Sequence, residues 1–201
     1  MLHDYNDLIR IFDRLFMESE GTRLIAGDDE PLYLPRDQEC PWDRVIFAHG
    51  FFASALHEIS HWCIAGKARR RQEDYGYWYK PDGRDAQEQA LFESVESRPQ
   101  ALEWLFSEAC GRRFTLSFDN LEGEADDGRR FAPAVVREAH RYLEQGVPPR
   151  ARRFIEALQA FYQRPDAIRP ERLTLAQLGF GHEISEVNLN DQASRETATA
   201  E

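Results

Sequence analysis

Cysteine is scarce in this chain: three in 201 residues, at positions 40, 63 and 110, with no CxxC pair among them. That spacing excludes a thiolate zinc knuckle and a disulfide framework, so reduced, structural thiols are expected. Long apolar runs are missing as well, and the N-terminal segment lacks the basic, apolar, small-residue order of a signal peptide. A cytoplasmic protein without membrane contact is therefore expected. Positive charge is outnumbered, 25 Lys and Arg against 36 Asp and Glu, and the net charge of −11 repels phosphate backbones. No direct nucleic-acid partner is expected. One local exception, Lys67-Ala68-Arg69-Arg70-Arg71, reads equally well as a binding patch or as a helix end that sets cations against the negative pole of the dipole. No histidine is followed two residues later by an acid, so the H-x-D/E strand motif of jelly-roll oxygenases is absent.

What is present is the composition of a globular chain: 42% hydrophobic and 30% charged, with thirteen Phe and four Trp, enough apolar surface for one real core. No Pro/Gly/Ser-rich linker divides it, so we expect a single domain over residues 1–170 and a C-terminal tail over 171–201 whose last part is disordered. Leu8, Ile9, Phe12, Leu15 and Phe16 recur at helical spacing and predict a core-facing helix from Asp4 to Met17. Arg23 to Ala26 and Leu32 to Leu34 read as short strands joined by the turn Gly27-Asp28-Asp29-Glu30-Pro31, a hairpin. Arg44 to Ala48 suits a buried strand. Phe51 to Ala65 is helical in pattern, with Gly66 as its terminator. Asp85 to Glu96 and Pro99 to Cys110 read as two helices, the second opened by proline. Phe114 to Phe118 reads as a strand, and helices follow over 133–145 and 150–163. The fold class is α+β: a zincin-like helix packed on a small mixed sheet, with several additional helices.

The helix from Phe51 carries His57-Glu58-Ile59-Ser60-His61. Residues four apart share a helix face, so His57 and His61 can aim one ring nitrogen each at the same divalent metal ion, with Glu58 one position around. This is the HExxH pattern, and the apolar neighbours Leu56, Ile59, Trp62 and Cys63 argue for a buried helix in which paired imidazoles need a reason.

Two histidines leave a catalytic site one protein ligand short. The downstream positions at which zincins place that ligand hold Lys67 and Arg71, and the next histidine is His140. Carboxylates fit better, and Phe92-Glu93-Ser94-Val95-Glu96 offers two. Glu96 is favoured as the ligand, with Glu93 next. His49, eight residues before His57, reads as a ligand, a donor to one, or a core histidine. Two histidines and a carboxylate with open positions suit a non-haem Fe(II) oxygenase, and the same set with a bound water suits a zinc peptidase or nuclease with Glu58 as base.

The chain resembles the bacterial elongation factor P hydroxylases. The resemblance rests on Phe47-Ala48-His49-Gly50, the block from His57 to Arg70, Gly76-Tyr77-Trp78-Tyr79, Pro81-Asp82-Gly83-Arg84-Asp85-Ala86-Gln87, Phe92-Glu93, Val95-Glu96, Pro99-Gln100-Ala101-Leu102 and Asp119-Asn120-Leu121-Glu122-Gly123. It implies hydroxylation of elongation factor P on a lysine that already bears a β-lysyl group, with O2 as co-substrate and Fe(II) held by two histidines and a carboxylate, carried here onto His57, His61 and Glu96. Glu58 then orients a ligand or water, and Glu93 joins it as a catalytic acid. Because the substrate side chain is cationic, a carboxylate-lined entrance is expected. Asp82, Asp85 and Asp119 are candidates for it, alongside Tyr77 of the aromatic loop and His49.

Overall fold

A computed structural model of the chain describes residues 3–28, 30–74, 86–117 and 131–180. Among the described residues the fold is α+β, with five α-helices and a three-stranded mixed sheet. Helix α1 (Tyr5–Glu20) starts at Asp4, whose carboxylate accepts the Asn6 N–H, and stops at Gly21, which takes the left-handed conformation (φ 65) that a side chain would disfavour. Its apolar stripe, Leu8, Ile11, Phe12 and Phe16, is buried in the core.

Strands β1 (Thr22–Ala26), β2 (Leu32–Leu34) and β3 (Asp43–Phe47) stand in the order β1-β3-β2. β1 pairs with β3 in parallel, and β2 pairs with β3 antiparallel, so the expected β1–β2 hairpin does not form. The physical reason is burial: β3 buries Asp43, Val45 and Phe47 in strict alternation and takes the centre, where both of its edges are bonded. β2, three half-buried residues long, is left as an edge. The acidic turn after Ala26 is thus a connection past β3 rather than a hairpin loop.

β3 runs into a 3-10 turn, Ala48–Gly50, in which His49 (φ 54) and Gly50 (φ 63) are both left-handed. Non-glycine residues seldom adopt that conformation. The turn is held by His49 N–H donating to the Asp28 carbonyl (3.1 Å) and by Ala48 N–H donating to Ser54 Oγ (3.0 Å). A Cβ on Gly50 would stand 3.2 Å from the Tyr5 ring. This sharp corner launches α2 (Phe52–Ile64), the helix of the histidine pair.

Trp62, next to His61, fixes the roll of α2. Its ring meets Phe12 at 4.9 Å and Phe16 at 4.8 Å between centroids, both edge-on. The end of α2 differs from expectation: Gly66 is not left-handed, and a remote arginine does the capping. Arg150, on α5 (Pro149–Phe161), donates to the carbonyls of Trp62 (2.8 Å), Cys63 (3.2 Å) and Ala65 (2.6 Å) while its guanidinium lies 4.5 Å from the Trp62 ring centroid.

The two helices expected on either side of Pro99 are one helix, α3 (Ala86–Cys110), 25 residues long. An interior proline costs about 3 kcal/mol. Here the helix carries Phe92, Leu102, Trp104, Leu105 and Phe106 into one core, and burying five such side chains outweighs that cost. Nor is Phe114–Ser117 a strand; its backbone is clasped by Gln100, whose amide donates to the Ser117 carbonyl (2.8 Å) and accepts the Ser117 N–H (3.1 Å). Helix α4 (Phe131–Gln145) packs along α3. Beyond α5, the segment to residue 180 lies against the core, with Leu173 fully buried and Arg172 paired to the buried Glu108 at 2.7 Å.

Cys63 and Cys110 are buried free thiols; burial pushes both upward, Cys110 to about 11, so neither is a thiolate near neutrality. Among the described residues no helix is long and apolar enough to cross a membrane.

Candidate metal centre

His57 and His61, one turn apart on α2, turn their rings toward α3, and their Nε2 atoms stand 3.0 Å apart. Glu96, 1% exposed on α3, closes the triangle: Oε2 lies 3.5 Å from His57 Nε2, and Oε1 lies 3.4 Å from His61 Nε2. Two donors ~2.1 Å from one ion stand ~3.0 Å apart at a right angle and ~3.4 Å apart at the tetrahedral angle. Two of the separations fall on that range and the third lies just beyond it, with each histidine facing a different oxygen of the Glu96 carboxylate, so these residues fit a single divalent ion bound on one face.

The donor set agrees with the geometry. His57 Nδ1 lies 2.9 Å from Oε2 of Glu103, which is itself buried on α3. A carboxylate can only accept, so Nδ1 holds a proton and Nε2 is the ring atom directed toward Glu96 and His61. Burial opposes charge on the His57 ring. The hydrogen bond that His57 donates to Glu103 and the charges of Glu103, Glu96 and Glu58 outweigh it and carry the ring up to about 10.

Glu58 is half-buried and lines a small cleft shared with His61, Trp62, Tyr33, Arg70 and Asp74. Burial pushes its carboxyl upward, against the pull of the two histidines. On the far wall the Tyr33 hydroxyl donates to the Arg70 carbonyl (3.0 Å), and Tyr33 exchanges two backbone hydrogen bonds with Asp74 (2.8 and 3.0 Å).

Of the other residues singled out in the sequence, Glu93 sits on α3 one turn before Glu96, half-buried, and is not among the three whose ligand atoms converge. His49 is exposed in the turn before α2, its ring 5.6 Å from Phe51. Tyr77, Asp82, Asp85 and Asp119 lie outside the described residues. Lys67 and Arg71 are exposed, whereas Arg69 pairs with Asp74 and Arg70 with Glu20, so half of the basic run serves structure. Sequence reasoning missed Glu103. Its signal was available, because Glu96 and Glu103 are seven residues apart, two turns along one helix face.

Comparison with known proteins bears on the same region. A curated relative, the elongation factor P lysine hydroxylase of Haemophilus influenzae, is 49% identical over 168 residues, covering 84% of this chain and 94% of its own length. Residues 11–173, which hold every residue of the cluster, match EpmC, described as elongation factor P hydroxylase, and the chain belongs to that family.

Proposed function

We propose that this protein hydroxylates elongation factor P, on a lysine carrying a β-lysyl group, with Fe(II) held by His57, His61 and Glu96 and with O2 as co-substrate. The observation that carries the reading is the triangle of donors at 3.0, 3.4 and 3.5 Å within a chain of the hydroxylase family. An iron ion there would supply the means to split O2, one atom entering a C–H bond and the other leaving as water with two electrons from a reductant. The protein's own work is to hold three donors on one side and keep the remaining positions open. Glu58, at the cleft wall beside His61, holds a water or the incoming side chain by hydrogen bond. Glu93 assists one turn away on α3. His49, Tyr77, Asp82, Asp85 and Asp119 are assigned to the approach of the cationic side chain, where carboxylates favour an ammonium group. The reaction is cytoplasmic and involves neither membrane nor nucleic acid.

The zincin-like aspect of α2 supports a second reading, a zinc hydrolase in which Glu58 is the base. The family membership favours the hydroxylase. The deciding experiment is incubation of β-lysylated elongation factor P with the protein, ferrous iron and a reductant, read by intact mass. A gain of one oxygen that requires O2 and disappears in His57→Ala/His61→Ala is expected; full activity in that double variant overturns the proposal.

A further inference from the structure

We infer that Glu103 is a positioning residue, which sets the tautomer and the aim of His57 so that Nε2 offers its lone pair to the metal. The inference rests on the metal-site reading above and goes beyond it, to a residue that does not itself touch the ion.

Three observations carry it. Glu103 is only 7% exposed, and among the described residues no lysine or arginine pairs with it; its carboxylate meets His57 Nδ1 at 2.9 Å. A buried carboxylate with no lysine or arginine to neutralise it is costly, so its position calls for a role. The second observation is alignment. Glu103 and Glu96 stand on the same face of α3, ~10 Å apart along its axis. The His57 ring fills the span between them, with Nδ1 toward one carboxylate and Nε2 toward the other. The third is rigidity: residues 99–110 of α3 are all buried, so Glu103 is placed by packing on every side. A ring held at Nδ1 by a fixed acceptor can neither flip nor exchange its proton to Nε2, and Nε2 is the atom 3.0 Å from its counterpart on His61.

The test uses the full chain and zinc as a diamagnetic probe ion. Long-range proton–nitrogen correlation spectra of the wild-type protein with zinc should show His57 protonated at Nδ1 and metal-bound at Nε2. Glu103→Gln keeps an acceptor oxygen but loses the charge, and should weaken zinc and ferrous-ion affinity about 10- to 100-fold while leaving the far-ultraviolet dichroism unchanged. Glu103→Leu removes the acceptor, so His57 should appear as a mixture of tautomers. A structural role alone would lower thermal stability and leave the tautomer intact, which overturns the inference. So does affinity within about twofold of wild type in both variants. If Glu103→Leu does not fold, the wild-type spectrum still decides, because an Nε2–H tautomer refutes the role outright. Wild-type protein that takes up no metal refutes the site reading and this inference together; normal uptake with unaffected variants refutes this one alone.

Discussion

Glu96 and Glu103 approach His57 from opposite sides, Oε2 of the first 3.5 Å from Nε2 and Oε2 of the second 2.9 Å from Nδ1. Seven residues apart on α3, they make one helix face into both a ligand and a support. Glu93, three residues before Glu96, stands outside the converging triangle. Glu96→Ala is therefore expected to reduce metal content of the purified protein to background, as His57→Ala would, and Glu93→Ala to retain a full equivalent. Metal analysis after dialysis reads the difference. Equal retention by Glu96→Ala would remove that residue from the ligand set.

The histidine pair was legible because its spacing is local: four residues on one helix bring both rings together whatever the rest of the fold does. Glu96 was read ahead of Glu93 from the pair of carboxylates three residues apart, and its carboxylate is the one that faces both histidine rings. Glu103 was hidden by an ordinary rule, that a proline opens a helix. Pro99, read as the start of a new helix, broke the seven-residue register that links Glu96 to Glu103, and the continuous α3 restores it. The sheet order failed for a related reason. A turn between two short strands suggests a hairpin, but which strand takes the centre depends on burial against α1 and α2, and that is not written in the turn.

Metal affinity should rise with pH. His57 in the metal-free protein is carried above its ordinary 6.5 to about 10, so over the neutral range an incoming ion must displace a proton. Affinity is then expected to increase about tenfold per pH unit below that value. The same shift sets the stability of the metal-free protein. A raised folded-state pKa gives stabilisation that is fully present below the ordinary value and is lost as pH rises through about 10. Titration of the ion at several pH values, with thermal melts of metal-free and metal-loaded protein alongside, checks both slopes. An affinity independent of pH over the neutral range contradicts the argument.

Arg150 should matter to α2 more than its distance in sequence suggests. It satisfies three carbonyls at the end of that helix and covers the Trp62 ring. Hydrogen bonds to a charged group contribute about 1.5–3 kcal/mol, and leaving buried carbonyls unmet costs a similar amount. Arg150→Met keeps much of the packing and removes the donors. It is expected to destabilise the fold by about 2 kcal/mol in denaturant melts and to weaken metal binding through a frayed His61 turn. Arg150→Lys should recover only part of the loss, since an ammonium cannot lie flat on the indole as the planar guanidinium does.

Leu173 gives the C-terminal segment a measurable part in the fold. Its side chain is fully buried, its carbonyl stands 2.9 Å from His140 Nε2 on α4, and its neighbour Arg172 neutralises Glu108 on α3. Leu173→Ala removes a core side chain and leaves a cavity, for an expected loss of roughly 2–5 kcal/mol. Arg172→Ala leaves a buried carboxylate on α3 without its cation, a loss of charge pairing with little loss of packing. The two variants separate packing from charge, and denaturant melts of both read the two costs. Neither residue touches the metal cluster. Both variants should therefore bind metal normally at temperatures where they remain folded, and a selective loss of metal in Leu173→Ala would show that the segment shapes the site itself.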